Sequence, residues 1–302
     1  MIARAAELGI VVERRSECAV VVDCGVKAPG GLQAGLELAE VCMADLGRVR
    51  LVPAHPELWS GPAIQVQTDQ PLAACMAAQY AGWQVAKDKY FAMGSGPMRA
   101  AFGNEELFDD IGFRESPRRA VGVLESGKLP PDEVSAKIAV QCGVAPTDLM
   151  LLVAATSSLA GTIQVVARTV ETCLHKLHSL KFDLSCVRSG VGVAPLPPVA
   201  ANDLAGIGRT NDAVLYGGEV TLWLDSDDAT LEAVGPRIPS GASPDHGVPF
   251  SEIFNRYDCD FYRIDPLLFS PAVVILNSLK TGRSFRFGHF LPGVIHKSFT
   301  SS

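Results

Sequence analysis

The sequence has no apolar run long enough to cross a membrane and no stretch rich in lysine and arginine. Its most apolar segment, residues 150–155, has the length of a strand, whereas a membrane-spanning helix needs about 18 or more apolar residues. The N-terminus lacks the charged-then-apolar order of a signal peptide. Acidic residues outnumber basic ones, 33 to 26, so no basic stripe is available for phosphates. We therefore expect neither a membrane nor a nucleic-acid partner.

Short-spaced disulfide and metal motifs are also missing. The eight cysteines are scattered through apolar surroundings without a Cys-x-x-Cys pair. This pattern predicts reduced thiols and a cytoplasmic protein. His175 and His178 stand three residues apart, but no His-Glu-x-x-His motif completes a ligand set. We expect no metal site.

Motifs for nucleotides and covalent nucleophiles are incomplete or absent. Gly94-Ser-Gly-Pro-Met and Gly190-Val-Gly-Val-Ala-Pro begin like a dinucleotide fingerprint, but neither supplies the third glycine. The chain has no Gly-Lys-Ser/Thr of a P-loop and no Gly-x-Ser-x-Gly elbow. We expect no cofactor and no covalent intermediate.

What is present is an alternation of strand and helix patterns, which is typical of α/β proteins. Strands are expected at residues 10–12, 19–23, 48–52, 64–68 and 149–155, and helices at 32–46, 71–83 and 159–177. Glycine-rich turns are expected at 94–97 and 190–192, and Pro-rich connectors at 195–198 and 236–249.

Two similar strand-to-helix joints, Thr68-Asp-Gln-Pro-Leu-Ala73 and Thr156-Ser-Ser-Leu-Ala160, suggest related halves. We predict two similar α/β domains with mixed sheets flanking a central cleft. The first covers residues 1–150 and the second 151–302, with the C-terminal strands left free to pack back on the first.

The segment Gly208-Arg-Thr-Asn-Asp-Ala-Val-Leu-Tyr-Gly-Gly218 concentrates the chemistry of the chain. If residues 209–212 form a helical turn, Arg209 and Asp212 share a face. One side chain then holds and polarises a water while the other takes its proton. The alternative is a surface ion pair worth less than about 1 kcal/mol. The apolar run that follows has strand propensity.

The long loop at residues 239–254 combines small residues, aromatics and the polar Asp245 and His246, a mixture that suits a ligand cleft. The segment 87–96 has a similar composition. A structural role is an equal alternative for both.

Together these segments resemble the methenyltetrahydromethanopterin cyclohydrolase family. The resemblance rests on residues 67–74, 89–97, 208–218, 239–254 and 270–277. It implies two similar α/β domains around a cleft, a homotrimer, and hydrolysis of the one-carbon bridge of a cationic pterin to the N5-formyl form without metal or prosthetic group.

The resemblance also implies roles for particular residues. The family's catalytic arginine, three residues before an acid, corresponds to Arg209 with Asp212. Asp212 is expected to orient and deprotonate the water, and Arg209 to hold it, to lower the pKa of Asp212 and to stabilise the developing oxygen charge. Some relatives carry glutamate at the acid position, which leaves open a share for Glu219 or Asp245. Expected substrate-binding residues are Tyr216, Glu219, Ser95, Phe91, Lys87, Lys89, Asp245 and His246, with Arg99 a further cation for an acidic tail.

One alternative is a protein of this fold that binds a pterin or phosphate ligand without turning it over. A nicotinamide-dependent oxidoreductase is disfavoured by the broken glycine fingerprints.

Overall fold

The computed structural model describes residues 1–14, 17–258, 260 and 263–300. They form two compact units. Unit 1 consists of Met1–Gly47 and Leu72–Val165, and unit 2 of Arg48–Pro71 and Val166–Ser302. The expected boundary after residue 150 falls inside a strand of unit 1, Leu149–Ala154, and residues 48–71 belong to unit 2. The chain therefore passes from one unit to the other three times.

Strands and helices are numbered in chain order. The strands of the described part are β1 (Val11–Glu13), β2 (Val20–Gly25), β3 (Gly47–Pro53), β4 (Pro62–Thr68), β5 (Trp83–Lys87), β6 (Tyr90–Ser95), β7 (Ala120–Glu125), β8 (Leu149–Ala154), β9 (Val187–Pro195), β10 (Glu219–Leu224), β11 (Val273–Ser278) and β12 (Ser284–Gly288). The α-helices are α1 (Ala5–Leu8), α2 (Leu32–Cys42), α3 (Met98–Phe102), α4 (Leu107–Ile111), α5 (Asp132–Gln141), α6 (Leu159–Val166), α7 (Thr169–Ser179), α8 (Asp203–Gly217), α9 (Asp228–Val234), α10 (Phe250–Arg256) and α11 (Pro292–Thr300).

Unit 1 is built on a mixed sheet of six strands in the order β1-β2-β8-β7-β6-β5. β2, β8 and β7 run parallel, while β1 and β6 are antiparallel to their neighbours. Apolar side chains of the central strands are buried, as in β8, where Leu151, Leu152 and Val153 are almost fully covered. Runs of this kind are typical of parallel strands covered on both faces.

Unit 2 has its own six-stranded mixed sheet, in the order β12-β11-β10-β9-β4-β3. Only the β10–β11 pair among the described pairs of this sheet is parallel. The two mixed sheets confirm the predicted α/β class with two similar domains.

Several predicted elements need correction. Residues 190–192 do not form a turn but lie within β9. A Cβ atom at Gly190 or Gly192 would lie 2.9 or 3.0 Å from the Val170 side chain, so these glycines let α7 approach the strand closely. The single helix expected at 159–177 is two helices, α6 and α7, separated at residues 167–168.

The helix expected at 71–83 is shorter and differently wound. Leu72–Gln79 is a π-helix, and Trp83 begins β5. The predicted start is confirmed in part, because the Thr68 hydroxyl accepts a hydrogen bond from the Gln70 N–H at 3.0 Å. π-Helical turns are rare and arise where local packing changes the helical register.

Candidate functional site

Helix α8 carries both members of the predicted catalytic pair. Its N-cap Asn202 accepts a hydrogen bond from the Ala205 N–H at 2.9 Å, a stabilising start for a helix. Arg209 and Asp212 lie in one helical turn, as predicted. The strand predicted after Asp212 is wrong, since the helix continues to Gly217 and β10 begins at Glu219. Residues 213–216 are all buried, so this part of the helix is packed on every side, and that packing outweighs their strand propensity.

The Asp212 carboxylate is removed from solvent, with 1% of the residue exposed. Its Oδ1 accepts a hydrogen bond from the Phe250 N–H at 2.7 Å, at the start of α10. Within the described part of the chain, Oδ2 has no hydrogen-bond partner, and no cation is among the groups that shift the pKa of the carboxylate.

Burial raises the pKa of Asp212 from its ordinary value of 3.8 to about 7, against the opposing effects of the Ser298 hydroxyl and the Phe250 N–H. The negative charge of Glu252 acts in the same direction as burial. The expectation that Arg209 lowers this pKa is therefore wrong, because desolvation outweighs the groups that favour the charged form.

Arg209 is partly exposed, and its guanidinium faces a carbonyl-lined part of the connector before α8. Nη1 donates to the Pro198 and Val199 carbonyls at 3.2 and 3.3 Å. These bonds fix the direction of the side chain. The alternative, a surface ion pair between Arg209 and Asp212, is not supported, because Asp212 is buried and Arg209 is not among the groups that shift its pKa.

Tyr216 lies one turn beyond Asp212 on α8 and holds the loop before α10. Its hydroxyl donates to the Val248 carbonyl at 2.5 Å and accepts from the Gly247 N–H at 3.3 Å. Its ring is fully buried and packs against His246 with the centroids 5.0 Å apart. Burial raises the pKa of Tyr216 to about 12, so the hydroxyl stays protonated and can keep donating.

His246 carries a second unsatisfied atom in this region. Its Nε2 is buried and has no hydrogen-bond partner among the described residues. Burial first, and the neighbouring His289 second, lower the pKa of His246, so the imidazole is neutral at pH 7. Asp212, Tyr216 and His246 thus form one cluster, which we call the α8 cluster.

Asp245 lies beside this cluster but has partners of its own. Both carboxylate oxygens accept from the Tyr257 hydroxyl, at 3.1 and 3.0 Å, and Oδ2 also accepts from the Asp265 N–H at 3.4 Å. Glu219, at the start of β10, lies 4.0 Å from Arg286. These contacts give both acids structural roles in unit 2.

The other four predicted binding residues lie on the β5–β6 hairpin of unit 1. Lys87 pairs with Glu133, Lys89 and Phe91 are exposed, and the Ser95 hydroxyl is buried 3.2 Å from the Cys42 thiol. The hairpin therefore offers one ammonium and one aromatic ring to solvent.

Arg99 is not placed to meet an acidic ligand tail. It is fully buried and forms two hydrogen bonds with Glu105, at 2.9 and 2.6 Å. Its Nη1 also donates to the Met76 carbonyl at 2.8 Å. This residue anchors the end of the π-helix.

Two polar residues with defined contacts, Glu125 and Lys176, were not predicted from the sequence. Glu125 ends β7 and accepts from Thr156 at 2.5 Å and from Gln164 at 3.3 Å. Lys176 lies buried on α7 with its ammonium bound to a backbone carbonyl. The only signal in the sequence was a lysine within an otherwise apolar helical stripe.

Among the described residues, no three His, Cys, Asp or Glu side chains lie together as metal ligands. None of the described helices is both long and apolar enough to cross a membrane.

A buried carboxylate with a pKa near neutrality, on a helix of an α/β unit, can exchange a proton at neutral pH. These features define an α/β protein with a candidate acid–base centre. The family model described as Cyclohydrolase (MCH) matches residues 1–299, and the chain belongs to this family.

Relatives support the same assignment across nearly the whole chain. The methenyltetrahydromethanopterin cyclohydrolase of Rhodopirellula baltica is 49% identical over 92% of this chain and 85% of its own length. The proteins of that name from Xanthobacter autotrophicus and Methanosarcina mazei are 47% and 43% identical over 97% and 93% of this chain, and over 87% and 88% of their own lengths. The resemblance inferred from the sequence motifs is confirmed.

Proposed function

We propose that this chain is a methenyltetrahydromethanopterin cyclohydrolase, which reversibly hydrolyses the 5,10-methenyl bridge to N5-formyl-tetrahydromethanopterin in one-carbon metabolism. The name shared by relatives at 43–49% identity supports the reaction. The observation that carries the mechanism is the buried Asp212 carboxylate with its unpartnered Oδ2.

The methenyl bridge is an amidinium-like cation, so its carbon is electrophilic without a Lewis acid. In the proposed step, Asp212 Oδ2 accepts a proton from water as the water oxygen bonds to the bridging carbon. The resulting hemiaminal collapses when the bond from this carbon to N10 breaks: the hemiaminal hydroxyl loses its proton as the formyl C=O bond forms on N5, and N10 takes up a proton. Of the two protons of the water, one thus ends on N10 and the other is released to solvent, which leaves Asp212 ionised again. A base with a pKa near 7 suits this task, because it is ionised at neutral pH and still binds a proton well.

Of the roles expected for Arg209, stabilising the developing oxygen charge is the one kept in this proposal, since Arg209 is not among the groups that shift the pKa of Asp212. The direction of the Arg209 side chain is fixed by the Pro198 and Val199 carbonyls, one turn before Asp212. We assign it to the oxygen of the hemiaminal, where a fixed guanidinium stabilises developing negative charge. Its effect on catalysis then does not depend on lowering the pKa of Asp212.

The structure supports a substrate-binding role for some of the predicted binding residues more than for others. Asp212 and His246 each keep an unsatisfied atom for a ligand or a water, and Lys89 and Phe91 are exposed. The other five predicted residues already have partners in the chain, so in this proposal they position their neighbours and do not bind the pterin directly. They are Tyr216, Ser95, Lys87, Glu219 and Asp245.

The reaction is tested by the methenyl absorbance of the substrate, followed with a chelator present and no nucleotide added. We expect a fall well above the spontaneous rate. Tight binding with only the spontaneous rate would favour the alternative, a pterin-binding protein without turnover. A requirement for added metal or nucleotide would contradict the proposed cofactor-free chemistry.

Family resemblance also supports a cytoplasmic homotrimer. Sedimentation equilibrium of the native protein measures the assembly. A monomer or dimer at the concentration of the assay would rule out the trimer without affecting the proposed reaction.

A further inference from the structure

Lys176 is a charged side chain in an apolar place. It lies on α7, with Cys173 and Leu177 buried near it, and is itself 1% exposed. Its Nζ donates to the carbonyl of Leu267. A buried ammonium is costly unless it is well bound, so a lysine here needs a reason beyond packing.

The carbonyl that Lys176 holds belongs to a short 3-10 turn, Pro266–Leu268, capped by Asp265. Asp265 Oδ1 accepts from the Leu267 N–H at 3.1 Å, and Oδ2 accepts from the Ser243 hydroxyl at 2.6 Å. The Asp265 N–H in turn donates to Asp245. Lys176 therefore tethers a turn that is bound at two points to the loop at residues 243–248.

That loop leads directly into the α8 cluster. Its Gly247 N–H and Val248 carbonyl bind the Tyr216 hydroxyl, and His246 packs on the Tyr216 ring. Two residues later, the Phe250 N–H donates to Asp212 at 2.7 Å. A continuous series of contacts thus runs from the Lys176 ammonium to the proposed base.

We propose that Lys176 is a positioning residue for the cyclohydrolase reaction: by tethering the Pro266–Leu268 turn it fixes the 243–250 segment against Asp212 and keeps that carboxylate dry. The inference rests on the proposed function. It assigns Lys176 no contact with substrate.

The groups around Lys176 and Asp212 affect the pKa values of both side chains, and therefore the pH dependence that the test measures. Asp265, Cys173 and Arg237 face Lys176, where burial lowers the pKa of the ammonium to about 8. Ser298, Phe250 and Glu252 face Asp212. If the segment loosens, water reaches Asp212 and its pKa falls toward the ordinary value.

The test replaces Lys176 in the full chain. Lys176→Met keeps the length of the side chain and removes the tether, and exposed Lys137→Met on α5 is the matched control. We expect kcat of Lys176→Met to fall about tenfold, well within the loss that a misplacement of about 1 Å causes, with KM little changed. The lower midpoint of the pH–rate profile should move down by roughly one unit as Asp212 becomes wetter. Lys176→Arg, which keeps a donor, should restore part of both.

Hydrogen–deuterium exchange gives a readout besides activity. Peptides from residues 240–256 should exchange faster in Lys176→Met than in the wild type or in Lys137→Met. Ser243→Ala removes the Ser243–Asp265 bond with less risk to folding and should move kcat and the pH midpoint in the same direction. If Lys176→Met does not fold, this variant decides the matter.

An unchanged kcat and midpoint in a folded Lys176→Met, or in Ser243→Ala, would overturn the inference, even if the melting temperature fell. Absence of hydrolysis by the wild type would instead refute the proposed function, so the two failures are distinct.

Discussion

Asp212 shows at the residue scale how a fold can prepare a base without a cation. The folded pKa, about 7, lies above the ordinary value of 3.8. The folded state therefore binds the Asp212 proton more tightly than the unfolded chain does. Its stabilising effect is complete below about pH 4 and is lost as the pH rises through 7.

Asp212→Asn should therefore become more stable relative to the wild type as the pH rises. The amide oxygen can still accept from the Phe250 N–H, but the amide cannot ionise. Between pH 5 and pH 8 we expect the free energy of unfolding of the variant to gain on the order of a few kcal/mol over the wild type. Urea unfolding at both pH values measures the difference, with exposed Asp225→Asn as the control. An equal difference at both pH values would mean that Asp212 does not titrate near 7.

The same ionisation should govern the rate. For hydrolysis, kcat/KM should rise with pH through a midpoint near 7, because the base must lose its proton first. Asp212→Asn should lose roughly 10²–10⁴-fold in kcat, the usual contribution of a positioned base. A flat pH profile between 5 and 9 would assign the base elsewhere.

Arg209→Ala should abolish most turnover and leave the protein folded. Arg209 is partly exposed, so little packing is lost, whereas one missing oxyanion donor typically costs about 10²–10³-fold in kcat. The pH midpoint should stay where it is, since Arg209 is not among the groups that shift the pKa of Asp212. The control is Arg188→Ala, which removes an exposed arginine paired with Asp225. A near-normal kcat would remove Arg209 from the mechanism without affecting family membership.

Among the elements, the π-helix Leu72–Gln79 depends on a side chain from another helix. The Arg99 guanidinium binds the carbonyls of Met76 and Ala77 near its end and pairs with Glu105. It also lies over the Tyr80 and Phe108 rings, at 4.9 and 5.2 Å from their centroids. A single buried side chain thus satisfies the helix end and the carboxylate together.

Arg99→Met should destabilise the protein by about 1–3 kcal/mol, because it leaves a partly buried carboxylate and two backbone carbonyls without their donor. Arg99→Lys should recover only part of this, since an ammonium cannot reproduce the two-point contact with Glu105. Urea unfolding measures both, against exposed Arg114→Met. A loss below about 1 kcal/mol would contradict the anchoring role.

The sequence predicted the isolated elements better than the interrupted ones. β4 and β8 lie close to their expected bounds. A short apolar run between turn residues is typical of a strand and is too short for most helices. The apolar stripe at 159–177 gave no sign of the break at residues 167–168, since the same spacing continues across it. Gly190 and Gly192 are glycines within a strand because helix α7 packs close against them. This is a tertiary contact, which the spacing of residues in the local sequence does not reveal.

The site follows the same division. Arg209 and Asp212 were visible because their spacing and family motif lie within one helical turn. The raised pKa of Asp212 was not, since it comes from burial in the folded chain and, second, from the negative charge of Glu252, which is distant in sequence. Lys176 and Glu125 were missed because their partners come from other elements.

For the whole molecule, the described cysteines of both units differ in how far burial protects their thiols from reagents in solution. Burial raises the pKa of Cys24, Cys142 and Cys173 to about 12. Cys42 and Cys75 are also buried, while Cys18 and Cys186 are partly exposed. Protonated, buried thiols react slowly with alkylating reagents.

Among these seven thiols, native protein treated with iodoacetamide at pH 8 should therefore be labelled first at Cys18. Cys186 should follow more slowly, because burial raises its pKa to about 11. The five buried thiols should react only after denaturation in urea, which serves as the control. Peptide mapping by mass spectrometry gives the order, and early labelling of Cys173 would contradict the described packing of α7.

The chain passes between the units three times, and this path determines when the strands of each sheet can pair during synthesis. Strand β4 leaves the ribosome early, yet its partner β9 follows much later, with Thr68 opposite Gly190. By then the segment from Leu72 to Val165 has been made, and it contains the remaining strands of unit 1. A nascent chain can thus complete the first sheet while the β3–β4 hairpin waits as an unpaired edge. Such edges invite wrong partners, so translation speed and chaperone access in that interval bear on the yield of native protein.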